Sequence, residues 1–337
     1  MGISFSLFES TLTAPLRIIT GLITLSLAIS APAVMAESSC VYVDQESRVI
    51  PIKNINAVPM KDRARVVCKT ITAGDIADPE ELKVGRDTRN AVFTTDLGPM
   101  RVRWSRSIEK CFSTSPARAV SSAAQAVNKA LKSGRFASQI KSPRREWSLA
   151  FIDKTSAISQ FPLELTAGRH PGFMIPPSKI YIVPDIIAAD CQNRAIADEH
   201  MAQVLLHEMG HVIEYLLLGE RESVPDRQRA EGFASWFEQY SADYASVITE
   251  GRVSKYYQQL AAVGLSRGLG GSFNGSAEDY AVSALQFKAI VAKKGISGLM
   301  RIYELMRERG LPWLAAVEEA ISWDRARLQS EMRAAVS

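Results

Sequence analysis

A pair of histidines at helical spacing is the feature of this chain with the clearest chemical meaning. The segment His207-Glu208-Met209-Gly210-His211 follows the pattern H-E-x-x-H. Residues at i and i+4 project from one face of a helix, so both imidazoles could bind one metal ion. The alternative, two core histidines without a metal, would leave two adjacent imidazoles desolvated without a shared partner. The pattern therefore predicts one Zn²⁺ ion bound by His207 and His211, with Glu208 as the general base that takes a proton from a zinc-activated water.

A zinc site of this kind needs a third protein ligand, and Glu231 is the predicted one. Residues 212–230 separate it from His211, a length that fits a helix end, a turn and the first turn of a second helix. Its carboxylate would complete a His₂Glu site whose fourth position is open to water. The extended H-E-x-x-H-x-x-G-x-x-H pattern is absent. Asp243 and Glu238 are the next carboxylates to test if Glu231 is not the ligand.

The two segments together resemble a known family of zinc peptidases. His207–His211 followed by Glu231-Gly232-Phe233-Ala234-Ser235 is similar to the gluzincins, typified by thermolysin. It is more similar still to their alanyl-aminopeptidase and leukotriene-hydrolase branch, over residues 178–325. The resemblance implies a zincin-like fold and peptide hydrolysis at a single zinc ion. It also implies a later tyrosine, here Tyr280, that donates to the transition-state oxyanion.

The chain departs from that branch in ways that bear on its activity. Ser283 stands where the branch has a glycine after the tyrosine, although Gly295 matches the end of its apolar helix. The motif Gly-x-Met-Glu-Asn, which holds a free amino terminus in the exopeptidases, is absent, and the chain has no room for their large flanking domains. The resemblance therefore supports a zinc hydrolase, most simply an endopeptidase, and not an aminopeptidase.

Other polar residues near the motif have weaker signals. Glu238 follows Glu231 by two helical turns on one face, so it could orient a zinc-binding histidine, or it could be a solvated surface residue. His200 precedes His207 by two turns, too far along the helix to reach the same metal. His170 lies in a loop flanked by glycine and proline.

The elements around these residues predict an α+β fold, with a small N-terminal sheet subdomain before the active-site helix and a mostly helical C-terminal half. We expect residues 37–105 to form a mixed β region and residues 106–337 to form the zincin-like domain. Lys179–Val183 is the candidate edge strand beside which an extended peptide would pair, with an ordinary internal strand as the alternative. The predicted helices are 115–132, 197–218, 227–248, one capped by Ser276 that contains Tyr280, 296–308, 311–321 and 323–335, and a further strand is predicted at Trp147–Ile152.

The N-terminal segment predicts export. Arg17 precedes a short apolar run, and Val34-Met35-Ala36 has the small residues that favour cleavage after Ala36, so residues 1–36 are a predicted signal peptide. The run is shorter than the ~18–20 apolar residues of a spanning helix, although an uncleaved anchor is the alternative. We therefore expect a periplasmic or secreted protein without stable membrane insertion.

The cysteines agree with that compartment. Cys40, Cys68, Cys111 and Cys191 all follow the predicted cleavage site, and none lies in a Cys-x-x-Cys pair. An even number in an exported chain predicts two disulfide bonds. Sequence order favours Cys40–Cys68 and Cys111–Cys191, while three pairings are possible.

Composition narrows the function further. The chain of 337 residues has 47% hydrophobic and 23% charged residues and a net charge of +4, values typical of a soluble globular protein. Without a run of lysine and arginine, this charge does not predict nucleic-acid binding. The leading hypothesis is an exported zinc-dependent peptidase that acts on a peptide or protein. The alternatives are a zinc-containing binding or assembly protein, and a hydrolase of cell-wall peptide or another non-protein amide.

Overall fold

The structure is a computed structural model that describes most of the chain after residue 86. The described residues are 39–43, 49–52, 66–69, 79, 82, 84, 87–134, 136, 140, 146–153, 171–187, 194–219, 226–268, 273 and 275–336. The predicted signal peptide, His170 and Cys191 lie outside them.

The described strands form two sheets. The first has the order β2–β1–β3, and the second has the order β4–β5–β6–β8–β7. The strands are β1 (Ser39–Val43), β2 (Val49–Ile52), β3 (Val66–Lys69), β4 (Thr88–Thr95), β5 (Gly98–Ser105), β6 (Trp147–Phe151), β7 (Gly172–Ile175) and β8 (Lys179–Ile182).

The five-stranded sheet is mixed. β4 and β5 form an antiparallel hairpin, β6 runs parallel to both β5 and β8, and β7 pairs antiparallel with β8. The sheet therefore joins strands from both sides of residue 105. Lys179–Val183 is not an edge strand but the internal strand that was the alternative, because β8 lies between β6 and β7. β7 forms that edge of the described sheet. β7 is short and begins with glycine after Pro171, so its sequence has little strand character.

Helices make up most of the described chain after β8. They are α1 (Pro116–Ser133), the single turn α2 (Pro184–Ile187), α3 (Arg194–Leu217), α4 (Arg227–Ala242), α5 (Arg252–Ser266), α6 (Ala277–Arg309), α7 (Trp313–Ile321) and α8 (Arg325–Ala334). A 3₁₀ segment, Arg106–Cys111, follows β5.

Local capping signals define several helix ends. The Ser115 hydroxyl accepts from the backbone N–H of Arg118 at the start of α1, and Ser276 accepts from Asp279 at the start of α6, as predicted. At Gly295, α6 has non-helical dihedrals (φ 68°, ψ 177°), which is where the sequence predicts one helix to end and another to begin.

The region after α4 differs from the prediction. α4 ends at Ala242 rather than at Ile248, and its carboxy-terminal neighbour Asp243 accepts a hydrogen bond from the N–H of Gly251 instead of continuing the helix. The helix α5 that follows was not predicted. Gly251 precedes it in the left-handed region (φ 70°) and offers no side-chain cap, so the usual start signal is missing.

The long helix α3 occupies the centre of the core. Its apolar residues are buried nearly all round, including Leu205, Met209 and Val212, each with 0% exposure. It packs against α4 and α1, and against β7 and β8 of the sheet. The architecture is thus mixed α/β and mostly helical, and the helix that contains both histidines lies between sheet and helices. Within the described ranges, no helix has the length and apolar character needed to cross a membrane.

The described cysteines are consistent with disulfide bonding. Cys111 is in a disulfide bond, and Cys40 lies opposite Cys68 in the register of β1 and β3. The predicted partner of Cys111 is Cys191.

Candidate metal centre

Three side chains from two helices converge at the centre of the molecule. α3 contributes His207 and His211, and the first turns of α4 contribute Glu231. Nε2 of His207 and Nε2 of His211 lie 3.3 Å and 3.4 Å from Oε2 of Glu231. One potential ligand atom from each residue lies within 4.8 Å of the other two, and all three side chains are buried. The structure therefore brings together the residues that the sequence predicts as metal ligands.

Two glycines allow the helices to approach closely enough for this convergence. A Cβ added at Gly210 of α3 would stand 3.0 Å from the Cα of Ala234 in α4. A Cβ added at Gly232 of α4 would stand 2.8 Å from the backbone oxygen of Ser283 in α6. Gly210 lies beside His211 and Gly232 follows Glu231, so each close contact is adjacent to a ligand. The tight contact between α4 and α6 is thus made by Gly232, with Ser283 as the opposing residue.

The arrangement fits a zinc ion. Nε2 of His211 is buried, and its 3.4 Å approach to Glu231 lacks hydrogen-bond geometry, so the nitrogen is placed to bind a metal ion together with that carboxylate. Two imidazoles and one carboxylate are donors that zinc binds. Glu208 and Glu238 add two buried acidic side chains around the imidazoles, a setting that suits a bound cation.

The electrostatics also favour a cation. Burial alone would lower the pKa of His207, but hydrogen bonds to Glu231 and Glu238 and the charges of Glu208 and Glu231 raise it to about 10. Burial alone would raise the pKa of Glu231, but the contacts with His207 and His211 lower it. The pocket therefore concentrates negative potential on the imidazoles and holds Glu231 ionised.

Glu238 lies in α4, two helical turns after Glu231, and its carboxylate faces Nδ1 of His207. Its Oε2 is 3.4 Å from Nδ1 of His207 and accepts a 2.7 Å hydrogen bond from the hydroxyl of Tyr257 in α5. Glu238 is 5% exposed, so it is not the solvated surface residue that was the alternative. This position lets it orient the ring whose other nitrogen faces Glu231.

Glu208 is a residue of α3, and its side chain lies against the edge strand β7 of the described sheet. Its side chain is fully buried. A Cβ added at Gly172 of β7 would lie 3.2 Å from Cγ of Glu208. Glycine at this position therefore leaves room for the Glu208 side chain between α3 and β7. The charge of Glu208 acts on both His207 and Tyr280, since it raises the pKa of each.

Tyr280 lies close to His207. Their ring centroids are 6.0 Å apart, and the phenol is 2% exposed. Burial, with the charges of Glu231 and Glu208, raises the pKa of Tyr280 well above its usual value, against the opposing effect of a hydrogen bond with Arg227. The hydroxyl therefore keeps its proton and can donate it to a hydrogen bond at neutral pH.

A buried ion pair connects the two ligand-bearing helices. Nε of Arg229 in α4 donates a 3.0 Å hydrogen bond to Oε1 of Glu214 in α3, and the hydroxyl of Tyr303 in α6 donates to the same oxygen at 2.6 Å. Arg229 and Glu214 are each 3% exposed. Since Glu214 follows His211 by one turn and Arg229 precedes Glu231 by two residues, the pair fixes the ligand-bearing turns of the two helices relative to each other.

Two sequence candidates lie away from the cluster. Asp243 is exposed at the end of α4, where it binds the backbone of Gly251, so the alternative third ligand is not brought to the histidines. His200 lies near Arg252, and burial followed by that charge lowers its pKa to about 4, so it is neutral at pH 7.

The sequence analysis missed several residues that the structure brings to the centre. Tyr257 lies in α5, which had no detectable start signal. Arg227 and Arg229 were overlooked, although Arg227 precedes Glu231 by one helical turn and their spacing could have indicated an i, i+4 ion pair.

Comparisons of this chain with family models, with curated proteins and with solved structures find no match, so the functional argument comes from the residues of the site.

Proposed function

We propose that this protein is an exported zinc-dependent peptidase of gluzincin type with a zincin-like catalytic domain, and that it acts as an endopeptidase. The observation that carries the proposal is the convergence of His207, His211 and Glu231 to within 4.8 Å in the core, with Glu208 buried beside them. Export is supported by the predicted signal peptide and by the disulfide bond of Cys111, since disulfides persist in oxidising compartments.

His207, His211 and Glu231 would hold the ion. When bound at such a site, zinc supplies a Lewis acid that lowers the pKa of a water to about 7 and polarises a carbonyl. Glu238 holds the ring of His207 through Nδ1, and Tyr257 holds Glu238 in turn. These contacts restrict the orientation of the imidazole before the ion arrives.

The remaining residues would handle protons and developing charge. Glu208 would accept the proton of the attacking water and pass it to the leaving amine, a role that typically contributes 10²–10⁴-fold in rate. Tyr280 would donate a hydrogen bond to the developing oxyanion, because its raised pKa keeps it protonated.

The substrate would pair with β7 rather than with β8. β7 forms the edge of the described sheet, and its Gly172 lies against Val204 and Glu208 of α3. An extended peptide that adds beside β7 would have its scissile bond next to the general base. The missing exopeptidase motif favours cleavage within a chain.

The test is a peptide-library digest by the purified zinc-loaded protein, read by mass spectrometry beside the Glu208→Gln variant. We expect internal cuts with the wild type, and bound zinc without cuts in the variant. Cuts by the variant at the wild-type rate would contradict the role of Glu208. Bound zinc without cuts by either protein would favour the binding or assembly role instead.

A further inference from the structure

Arg227 is the first residue of α4, one turn before Glu231. Its side chain contacts three neighbours: Glu231, Phe273 and Tyr280. Its Nε lies 3.8 Å from Oε1 of Glu231. Its Cζ lies 5.0 Å from the ring centroid of Phe273, and it forms a hydrogen bond with Tyr280. Phe273 also packs edge-on against Tyr280, with 5.1 Å between centroids. The orientation of the guanidinium is therefore restricted beside the proposed oxyanion donor.

The side chain reaches from the buried site to solvent. Arg227 is 41% exposed, whereas Glu231 beside it is fully buried. Its Nε is buried and makes no hydrogen bond with the described residues. The contact with Glu231 is a single approach of 3.8 Å and not a two-bond pairing of fork and carboxylate. Since 41% of the side chain is exposed and it makes no two-bond pairing with Glu231, the guanidinium can bind a further acidic partner from the solvent side.

We propose that Arg227 recognises a carboxylate of the substrate and so determines specificity at this site. A planar guanidinium that lies over an aromatic ring and belongs to a partly exposed side chain is suited to binding a carboxylate with two parallel hydrogen bonds. Because Arg227 contacts Tyr280, the recognised group lies next to the scissile bond. Two sources have this chemistry, an acidic side chain flanking the bond and the free carboxyl terminus of a peptide.

The inference deepens the proposed peptidase function and depends on it for the reaction. It predicts a charge preference that the peptidase function alone does not. Loss of the Glu231 contact would not produce such a preference, because it would weaken the metal site for every substrate alike.

The experiment uses three pools of random peptides with the purified zinc-loaded protein. One pool contains Asp and Glu and ends in an amide, the second lacks both residues and ends in a free acid, and the third lacks both residues and ends in an amide. We expect kcat/KM for one of the first two pools to exceed that for the third by about tenfold or more, the size of a charge-assisted hydrogen bond. The favoured pool identifies the source of the carboxylate.

The variants separate recognition from support of the metal site. In Arg227→Gln, the preference should fall to about twofold or less, mainly through KM, because uniform binding is lost. Arg227→Lys should restore part of it, since charge is kept and the fork is lost. Arg301→Gln, which removes an exposed pair with Glu304, is the control that should keep the full preference. An equal loss for all three pools in Arg227→Gln, or no preference in the wild type, would overturn the inference.

A binding measurement keeps this result separate from the peptidase proposal. The same pools are equilibrated with zinc-loaded Glu208→Gln protein, and the retained peptides are counted by mass spectrometry. Retention of one carboxylate pool that disappears in Glu208→Gln/Arg227→Gln supports recognition even when the wild type cleaves nothing. Equal retention of all pools would reject it even when the wild type cleaves well.

Discussion

The hydroxyl of Tyr257 donates a 2.7 Å hydrogen bond to Glu238, which connects α5 to the face of α4 that contains the candidate metal ligand Glu231. The accepting oxygen is the one that lies 3.4 Å from Nδ1 of His207. Tyr257 thus positions Glu238, and Glu238 in turn positions the imidazole of His207. A substitution in α5 can therefore alter the candidate metal site without replacing any of its ligands.

Removal of this phenol hydroxyl should weaken zinc binding. In Tyr257→Phe, Glu238 loses a buried donor and holds His207 less firmly, so zinc affinity should fall about 10–100-fold, as for other partners of metal ligands. Competition with a chelator measures the change. Tyr256→Phe is the matched control, because the adjacent ring packs against Tyr257 at 6.1 Å between centroids. An equal loss of affinity in both variants would contradict the proposed connection.

Glu231→Gln should remove the third ligand. The neutral amide replaces a fully buried carboxylate whose Oε2 faces both imidazoles, so the loss of zinc affinity should exceed the roughly 10–100-fold typical of an outer partner. Elemental analysis after dialysis against a weak chelator measures retained zinc. Asp243→Asn changes an exposed carboxylate just after the end of the same helix and should retain zinc in full. Stoichiometric zinc in Glu231→Gln would show that another group supplies the third ligand.

The stabilisation by zinc should increase with pH. Without metal, the pKa of His207 is about 10 in the folded protein, against 6.5 for a free histidine. The protonated ring therefore stabilises the fold in full below about pH 6.5, and this stabilisation is lost as pH rises through about 10. Zinc requires the neutral imidazole and so has to displace that proton. Thermal unfolding with zinc and with a chelator should therefore show a larger difference in Tm at about pH 9 than at about pH 6. A difference that does not change with pH, or the same pH dependence in His207→Asn, would contradict this assignment.

The ion pair between Arg229 and Glu214 should be a major contributor to stability. Arg229→Met leaves the buried carboxylate of Glu214 with the Tyr303 hydroxyl but without its cation, and such losses typically cost about 3–5 kcal/mol. Urea unfolding measures the free energy. Arg301→Met breaks an exposed pair and should leave the free energy of unfolding nearly unchanged. The double variant Glu214→Gln/Arg229→Met should recover part of the loss; equal effects of Arg229→Met and Arg301→Met would argue against a buried pair of this importance.

Several features were predictable because they depend on short stretches of chain. Helical geometry puts His207 and His211 on one face whatever surrounds them. The caps at Ser115 and Ser276 and the interruption at Gly295 also follow from local preferences of the backbone. The apolar residues around the motif predicted a buried helix, and α3 is buried nearly all round.

The order of the strands illustrates what a local pattern does not contain. Lys179–Ile182 has the residues of a buried strand, and it is one. Its position within the sheet depends on β7, a short segment whose glycine is useful because it permits close approach to α3. Periodicity describes how a strand faces its surroundings and not which strands lie beside it.

The sequence by itself therefore determined which residue types could bind a metal and which helices they occupy, since these follow from composition and helical period. Only the tertiary structure decided that Glu231 meets both histidines, that Tyr257 holds Glu238, that Arg227 contacts Tyr280, and that Arg229 pairs with Glu214. Each of these contacts joins different helices or depends on how they pack. The close approach of α3 to α4 at Gly210 and of α4 to α6 at Gly232 is likewise a property of packing and not of any single segment.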